Sequence, residues 1–332
     1  MSTFLQSLQT GLSEALSDDE RVILLGEDIV DPYGGAFKVT KGLSTRFPGR
    51  VLSTPISEAG FTGVAAGMAI RGLRPVVEVM FGDFLTLCTD QLVNHISKFS
   101  LMYDGVSVPM VIRTAMGGGR GYGATHSQSL EKMYMGIPGL QVVAASLAHD
   151  PAALIRKAID DQNPVLFIEN KQLYPQQIID ALDREVSVEM RLDDASYPVA
   201  IAKNGSFGIP DVTIIAYGGA SRAILSLMRR MSREEINIKA VFPSLLSAMP
   251  TTIFRAEVDA SAPILIAEEG SAGFNWGSEV ASTLYEVLLP ALRAPIRRLA
   301  AKASVIPCAA HLEDSVLLTE EKIEMAVLDL IA

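Results

Sequence analysis

Cysteine and histidine are scarce in this sequence. The 332 residues contain two cysteines, Cys88 and Cys308, and four histidines. Two cysteines so far apart exclude a framework of several disulfide bonds. No histidine stands at metal-ligand spacing from another histidine or from a cysteine, so we expect no zinc-type site built by this chain.

Long apolar runs and an excess of positive charge are also missing. No apolar stretch approaches the ~18 residues that span a bilayer. The first residues, 1–4, lack the basic-then-apolar pattern of a signal peptide. The net charge is −10, whereas a nucleic-acid-binding surface requires a basic stripe. We therefore expect a soluble cytoplasmic protein that binds neither membranes nor nucleic acid.

Apolar residues are abundant, at 49% of the chain, while charged residues make up 20%. This balance suits substantial cores and a buried subunit interface, and the length is typical of roughly two domains. Apolar runs alternate with helical periodicity in both halves, which indicates parallel sheets covered by helices on both faces. We predict two doubly wound α/β domains at residues 1–175 and 207–332, joined by a linker at 176–206.

The individual elements are predicted from the period of the apolar residues. In the first half the predicted helices are 3–17, 40–47, 60–71, 83–102 and 149–160, and the predicted strands are 22–26, 75–80, 109–113, 140–145 and 164–168. In the second half the predicted strands are 211–217, 236–241, 263–268 and 296–299, and the predicted helices are 219–231, 278–288 and 320–331. Residues 171–206 are polar and lack clear periodicity, so we expect an irregular segment there.

One carboxylate, Glu58, stands where a strand-like segment turns into a helix. Pro55 disfavours helix immediately before this position, and the small residues of 63–69 predict a tightly packed helix after it. The spacing alone is typical of an acidic residue that interacts with the positive end of a helix dipole. A catalytic role is indicated only by the wider set of motifs around it.

These motifs occur in a fixed order along the chain. They are Ser53–Gly63, Gly72–Glu78, Phe84, Asp90-Gln91, Asn94, Pro109–Arg113, Gly117–Gly119, His126–Gln128, Pro138–Leu140 and Asn163–Val165. The set resembles the beta subunit of the thiamine-diphosphate-dependent decarboxylase, the first component of 2-oxo-acid dehydrogenase complexes, which act on pyruvate, branched-chain 2-oxo acids or acetoin. The resemblance covers nearly the whole chain. It implies a pyrimidine-binding transketolase-like domain followed by a transketolase C-terminal-like domain.

The resemblance also implies that the chain contributes to a thiamine diphosphate site. Glu58 occupies the position of the glutamate that hydrogen-bonds the aminopyrimidine, Phe84 that of the aromatic that stacks on it, and Ile56 that of a further cofactor contact. A carboxylate in a dry pocket suits this role because it can share a proton with a weakly basic ring nitrogen. Without the resemblance, Phe84 would equally fit a core aromatic at the start of a helix.

His126 lies just beyond the glycine-rich run 117–123, which is too flexible to be built for core packing. A histidine on such a loop favours a catalytic role. The resemblance implies that this imidazole faces the substrate side of the cofactor, where it assists decarboxylation or delivery of the acyl group to a lipoyl arm. The alternative is a structural or surface histidine.

Half of the expected cofactor site is missing from the chain. The sequence contains no Gly-Asp-Gly motif, through which thiamine enzymes hold the diphosphate and Mg²⁺. The resemblance therefore implies an alpha subunit that supplies this motif and the Mg²⁺, a beta–beta dimer within an α2β2 heterotetramer, and a lipoyl acyltransferase core as a further partner. It also implies a K⁺ site at the backbone carbonyls of Ala158, Asp161 and Asn163, although these residues equally fit a helix end before Pro164.

Two features depart from the family pattern. Gly82 replaces an aromatic two residues before Phe84, which we expect to widen the pocket near the pyrimidine, and residues 240–245 replace an arginine-containing stretch. These departures leave the substrate and the acyl acceptor open. The leading hypothesis is the beta subunit of a 2-oxo-acid or acetoin dehydrogenase that is inactive alone. The alternatives are a split transketolase-like carboligase, which needs no lipoyl partner, and a non-catalytic scaffold, against which the intact Glu58 and His126 argue.

Overall fold

The computed structural model of the protein describes residues 2–179, 183, 185–192, 197–206 and 208–332. These residues form two six-stranded sheets, each with helices packed on both faces. The two sheets share their cores, because each of the two main clusters of buried apolar side chains contains residues from both sheets. Within the described ranges, no helix is both long and apolar enough to cross a membrane.

The first sheet is entirely parallel. Its strands are β1 (Val22–Gly26), β2 (Val51–Ser53), β3 (Arg74–Val79), β4 (Val111–Met116), β5 (Gln141–Ala144) and β6 (Val165–Asn170). Its helices are α1 (Phe4–Asp18), α2 (Leu43–Arg46), α3 (Glu58–Ile70), α4 (Leu85–Asp90), α5 (Phe99–Met102) and α6 (Pro151–Asp160). The strand order is β2-β1-β3-β4-β6-β5. Helices α1 and α6 cover one face of this sheet, while α3 and α4 cover the other.

The second sheet is mixed. Its strands are β7 (Ser187–Leu192), β8 (Pro198–Lys203), β9 (Val212–Ala216), β10 (Ile238–Pro243), β11 (Ile264–Ser271) and β12 (Ile296–Ala301). Its helices are α7 (Ala220–Ser232), α8 (Thr251–Glu257), α9 (Trp276–Leu288), α10 (Ala310–Val316) and α11 (Glu320–Ile331). The order is β12-β11-β9-β10-β8-β7, in which β8 runs antiparallel to both of its neighbours.

Local sequence explains where several helices begin. The hydroxyl of Thr3 accepts a hydrogen bond from the amide of Gln6, whose side chain returns to the amide of Thr3, so α1 starts with a capping box. Helix α6 starts with the carboxylate of Asp150 as its cap and Pro151 as its first residue, the position at which proline loses no hydrogen bond.

The prediction of an irregular segment at 171–206 is wrong for two stretches. Strands β7 and β8 lie inside this segment and form one end of the second sheet. Strand β7 is an edge strand with exposed or half-exposed side chains, so it lacks the apolar period by which strands are recognised. Residues 180–182, 184 and 193–196 of the predicted linker lie outside the described residues. The domain boundaries at 176 and 206 remain a prediction.

The predicted helix at 83–102 is interrupted. A 3-10 turn (Gly82–Phe84) leads into α4, a π-helical stretch (Gln91–Ile96) follows, and α5 is separate. Apolar periodicity does not distinguish these three hydrogen-bonding patterns, because they differ in which carbonyl each amide reaches and not in which face is apolar. The helix predicted at 40–47 is likewise confined to the four residues of α2.

A buried ion network joins the central strands of the first sheet. The guanidinium of Arg113 on β4 donates two hydrogen bonds to Glu169 on β6, at 2.7 and 2.6 Å, and a further one to Glu78 on β3. The hydroxyl of Tyr174 donates to the same Glu169 carboxylate at 2.7 Å. Buried charges are tolerated only when they are paired. Since these pairs link β3, β4 and β6, the network holds three neighbouring strands in register near their carboxyl ends.

Candidate active site

The carboxyl edge of the first sheet collects the chemically active side chains. Glu27 follows β1, Glu58 follows β2, Phe84 follows β3, His126 lies in the loop after β4, and Lys171 follows β6. The order of the strands in the sheet changes direction at β1, because β2 lies on one side of β1 and β3 lies on the other. Ligands of open parallel sheets bind at such a point, so the fold places the predicted site residues where a ligand is expected.

Glu58 is the first residue of α3 and is only 7% exposed. Glu27 is 8% exposed, and its Oε1 atom is buried without a hydrogen-bond partner. Burial raises the pKa of Glu27, and the negative charges of Glu58 and Asp28 raise it further. Two buried carboxyl groups therefore lie near each other, and the sequence motifs indicated only Glu58.

Cys88 lies in α4, near the carboxyl groups of Glu58 and Glu27. It is fully buried, and its thiol donates a weak hydrogen bond to the carbonyl of Phe84, with sulfur and oxygen 3.8 Å apart. Burial raises the pKa of Cys88 to about 11, and the charges of Glu58 and Glu27 act in the same direction. The thiol therefore stays protonated and packs as an apolar group between Glu58 and the turn that carries Phe84.

Phe84 and His126, which the sequence placed in one site, are in contact. Their ring centroids are 5.3 Å apart in an edge-to-face arrangement. The imidazole also meets the ring of Phe81 edge-on at 4.8 Å, and the Nδ1 atom of His126 lies 3.0 Å from the hydroxyl of Thr125. Both Phe84 and His126 are half-buried, so this cluster presents an aromatic surface that a flat ring can cover.

Phe81 was missed in the sequence, although its place two residues after the end of β3 and three residues before Phe84 could have indicated it. The ring of Phe81 also contacts Tyr122 of the glycine-rich loop at 6.0 Å. The expectation that Gly82 widens the pocket is wrong. A Cβ atom at Gly82 would lie 2.3 Å from Cγ of Met116, so Met116 already fills that space.

Lys171 was also missed. Its side chain is fully buried, lies 5.1 Å from the ring centroid of Phe81, and donates a hydrogen bond to the backbone carbonyl of His126. Burial lowers its pKa to about 8, and nearby Arg120 acts in the same direction. The sequence signal that could have identified Lys171 was its place just beyond the carboxyl end of a predicted strand. Its amino group therefore lies close to the backbone of His126.

Ile56 does not join the aromatic cluster. Its side chain is 85% exposed, on the approach to α3. A single exposed apolar side chain is ordinary at a protein surface, so the cofactor contact expected for Ile56 stays a prediction.

The residues expected to bind K⁺ lie at the end of α6. The carbonyl oxygen of Asp161 accepts a hydrogen bond from the guanidinium of Arg74 at 2.6 Å, and that of Ile159 accepts one at 3.1 Å. The carboxylate of Asp161 accepts hydrogen bonds from the backbone and side-chain amides of Asn163. Arg74 thus already places a positive charge at one of the three expected ligands, and K⁺ binding through Ala158, Asp161 and Asn163 remains a prediction.

The side chains at this edge fit one part of thiamine diphosphate. The buried Glu58, the orphaned oxygen of Glu27 and the half-buried aromatic ring of Phe84 suit a flat heterocycle that exchanges protons. For the diphosphate end, no group of three or more His, Cys, Asp or Glu side chains is arranged to hold a metal ion in the part of the chain that the structure describes. Glu58 and Phe84 would hold the pyrimidine end of such a cofactor.

Known protein families match both halves of the chain. Residues 2–177 match the family model "Transketolase, pyrimidine binding domain", and residues 208–323 match "Transketolase, C-terminal domain". The chain is 35% identical to rice (Oryza sativa subsp. japonica) mitochondrial pyruvate dehydrogenase E1 component subunit beta-2, over 94% of this chain and 81% of the rice protein. It is 32% identical to the beta subunit of acetoin:2,6-dichlorophenolindophenol oxidoreductase from Bacillus subtilis, over 98% of this chain and 96% of that protein.

Two solved structures share the fold. A split-gene transketolase, described as an inactive beta4 tetramer, superposes with a TM-score of 0.72 at 20% identity, covering 99% of this chain and 98% of that chain. The transketolase of Campylobacter jejuni superposes with a TM-score of 0.71 at 11% identity, covering 98% of this chain and 46% of that chain. At these identities the two structures establish the fold alone.

Proposed function

The chain belongs to the beta subunits of the thiamine-diphosphate-dependent first component of 2-oxo-acid dehydrogenase complexes, and we propose that it forms the pyrimidine-binding half of an active site that an alpha subunit completes. The complete enzyme decarboxylates a 2-oxo acid, or cleaves acetoin, and passes the acyl group to a lipoyl carrier. The observation that carries this proposal is the contact between His126 and Phe84, at the same carboxyl edge of the first sheet as the buried Glu58.

Each side chain has a separate role in this proposal. Thiamine diphosphate, when bound, supplies the carbanion chemistry on which decarboxylation depends. Glu58 holds a proton against a ring nitrogen of the pyrimidine, for which its dry surroundings suit it. Phe84 and Phe81 provide the apolar surface that orients the ring and excludes water. His126 faces the substrate side, where its imidazole moves a proton or positions the acyl acceptor.

The alpha subunit is required because the diphosphate half is absent from this sequence, which has no Gly-Asp-Gly motif. We propose that the alpha subunit carries that motif together with Mg²⁺, in an α2β2 heterotetramer built around a beta–beta dimer. The exposed apolar surface next to Glu58 supports burial by another subunit: Ile56 is 85% exposed, Val64 60% and Leu87 54%. A cytoplasmic location and a lipoyl acyltransferase core as partner belong to the same proposal.

The test is reconstitution with a co-expressed alpha-type subunit that carries Gly-Asp-Gly. We expect turnover of pyruvate, a branched-chain 2-oxo acid or acetoin that depends on thiamine diphosphate and Mg²⁺ and that acylates a lipoyl domain. Two-carbon transfer to an aldose phosphate without any lipoyl domain would instead identify a split transketolase-like carboligase. A well-assembled complex that turns over none of these substrates would identify a scaffold.

A further inference from the structure

The glycine-rich loop that carries His126 has an unusual backbone. Four of its glycines adopt positive φ angles: Gly117 at 88°, Gly119 at 82°, Gly121 at 68° and Gly123 at 74°. Side-chain-bearing residues are strained in this region, whereas glycine adopts it freely. Successive amides in such a segment can turn toward one side and form a concave site for an anion.

The negatively charged group at this loop is a carboxylate from the second half of the same chain. Glu313 lies in α10 and is only 2% exposed. Its Oε1 atom accepts a hydrogen bond from the amide of Gly119 at 2.8 Å, and its Oε2 atom accepts one from the amide of Gly121 at 3.0 Å. A buried carboxylate is costly unless hydrogen bonds replace its water, and bonds to a charged acceptor are the strong ones. The loop amides and Glu313 therefore stabilise each other.

Two side chains from the second half of the chain also pack against the loop glycines. A Cβ atom at Gly118 would lie 2.6 Å from Cδ1 of Leu317, and one at Gly123 would lie 2.4 Å from the sulfur of Cys308. The segment that includes α10 therefore packs directly against the loop backbone, and the glycines leave room for this close approach.

On its inner side the same loop is held by Lys171, which donates to the carbonyl of His126. The imidazole then contacts Phe81 and Phe84 at 4.8 and 5.3 Å. Resting on the proposed function, we propose that Glu313 is a positioning residue for His126: from the C-terminal half of the chain it fixes the loop backbone so that the imidazole stays on the aromatic surface. In this arrangement the second domain forms part of the active site without contacting the cofactor.

The main test uses Glu313→Gln in the co-expressed complex with the alpha subunit. Glutamine keeps the size of the side chain but turns one acceptor into a donor that faces a loop amide, so the loop should detach. Hydrogen exchange followed by mass spectrometry should show faster exchange of peptides covering 117–128. Trypsin should cleave faster after the exposed Arg120. Asp314→Asn is the matched control, because Asp314 is the adjacent, exposed carboxylate, and it should behave as wild type.

Gly121→Ala perturbs the loop from the other side, since its Cβ would lie 3.1 Å from the carbonyl oxygen of Cys308 at a φ angle that alanine disfavours. It should reproduce the faster exchange with Glu313 intact. Melting curves of all variants check that the fold is retained. Wild-type exchange and cleavage of the loop in folded Glu313→Gln would overturn the proposal.

Kinetics show whether the attachment acts through His126. Glu313→Gln should lower kcat about 10- to 100-fold, the size of effect expected from misplacing a catalytic group, and the affinity for thiamine diphosphate measured by calorimetry should change less than threefold. In a His126→Ala background the same substitution should lower kcat less than twofold further, because interacting residues are not additive. A full additional loss in that background would overturn the positioning role. If the wild-type complex has no thiamine-dependent turnover, the proposed function fails, while the exchange and cleavage measurements still decide whether Glu313 holds the loop.

Discussion

The hydroxyl of Tyr217, at the end of β9, donates a hydrogen bond to the buried carboxyl group of Glu131. Glu131 belongs to the segment after β4 of the first sheet, so this bond joins the two halves of the molecule. Two more carboxyl groups, the buried Glu268 and the half-buried Glu269, lie near it on β11. The amide of Gly277 donates to Glu268 at 3.0 Å. Three acidic groups are thus concentrated between the two sheets.

This acidic cluster predicts a pH-dependent stability. Burial raises the pKa values of Glu268 and Glu269 to about 7, from an ordinary value near 4.5. The folded protein therefore binds these protons more tightly than the unfolded chain does. The stabilisation is complete below about pH 4.5 and is lost as the pH rises through about 7.

Urea unfolding between pH 5 and pH 8 should show a midpoint that falls with pH, and the double variant Glu268→Gln with Glu269→Gln should flatten the decline. Glu279→Gln, at an exposed position on α9, is the control; an unchanged slope in the double variant would contradict the assignment.

Glu58→Gln should leave folding intact and nearly abolish turnover. Glutamine keeps the volume and one hydrogen bond, but it cannot stabilise a protonated ring nitrogen as an anion does. Proton–deuterium exchange at the thiazolium carbon of the cofactor in the reconstituted complex should slow by ~10²- to 10⁴-fold. Glu20→Gln, at an exposed position, should exchange at the wild-type rate. Exchange in Glu58→Gln within about threefold of wild type, or ~0.7 kcal/mol, would mean that Glu58 only interacts with the positive end of its helix dipole.

The isolated chain should bind thiamine diphosphate weakly or not at all, because the half-site for the diphosphate and Mg²⁺ is missing. Titration calorimetry of the chain alone and of the complex with the alpha subunit compares the two directly. Micromolar, Mg²⁺-dependent binding by the chain alone would show that it holds the diphosphate without a partner.

The exposed face of α3 should be buried in the assembled enzyme. Val64 is 60% exposed on this helix, between glycines that allow close approach of a partner. Val64→Glu should prevent assembly of the complex, because an unpaired charge buried in an interface costs several kcal/mol. Ile209→Glu, at a residue that is 63% exposed in the second half of the chain, should assemble normally. Light scattering of the wild-type chain should report a dimer, and a monodisperse monomer at micromolar concentration would argue against the beta–beta interface.

Removing Arg113 should destabilise the fold strongly. Arg113→Met leaves the carboxylates of Glu78 and Glu169 buried without their shared partner, and loss of one member of a buried ion pair typically costs about 3–5 kcal/mol. Arg21→Met removes an exposed pair with Asp19 and should leave the unfolding midpoint unchanged. Equal urea midpoints for the two variants would show that the buried network adds no stability.

The elements and part of the site could be predicted because their signals are local. A buried strand such as β1 is a short apolar run, and α1 is an apolar stripe with a capping sequence at its start, so both are recognisable within a few residues. Glu58, Phe84 and His126 stood out because each belongs to a short motif. The edge strand β7 was not recognised, since a strand that is partly exposed carries no comparable pattern. Strand β8 is largely buried between β7 and β10, but its short apolar run lies within a polar segment and was missed with it.

What the sequence by itself determined was therefore the two α/β units and the absence of a motif for the diphosphate, while the pyrimidine-side residues stay a prediction. Only the tertiary structure decided which distant groups meet. Glu313 lies 194 residues beyond Gly119, and Lys171 lies 45 residues beyond His126. No periodicity or motif links such pairs, because their contact depends on how the two sheets pack and on the backbone path of one loop. The partners that hold His126 in place became visible only once the chain was folded.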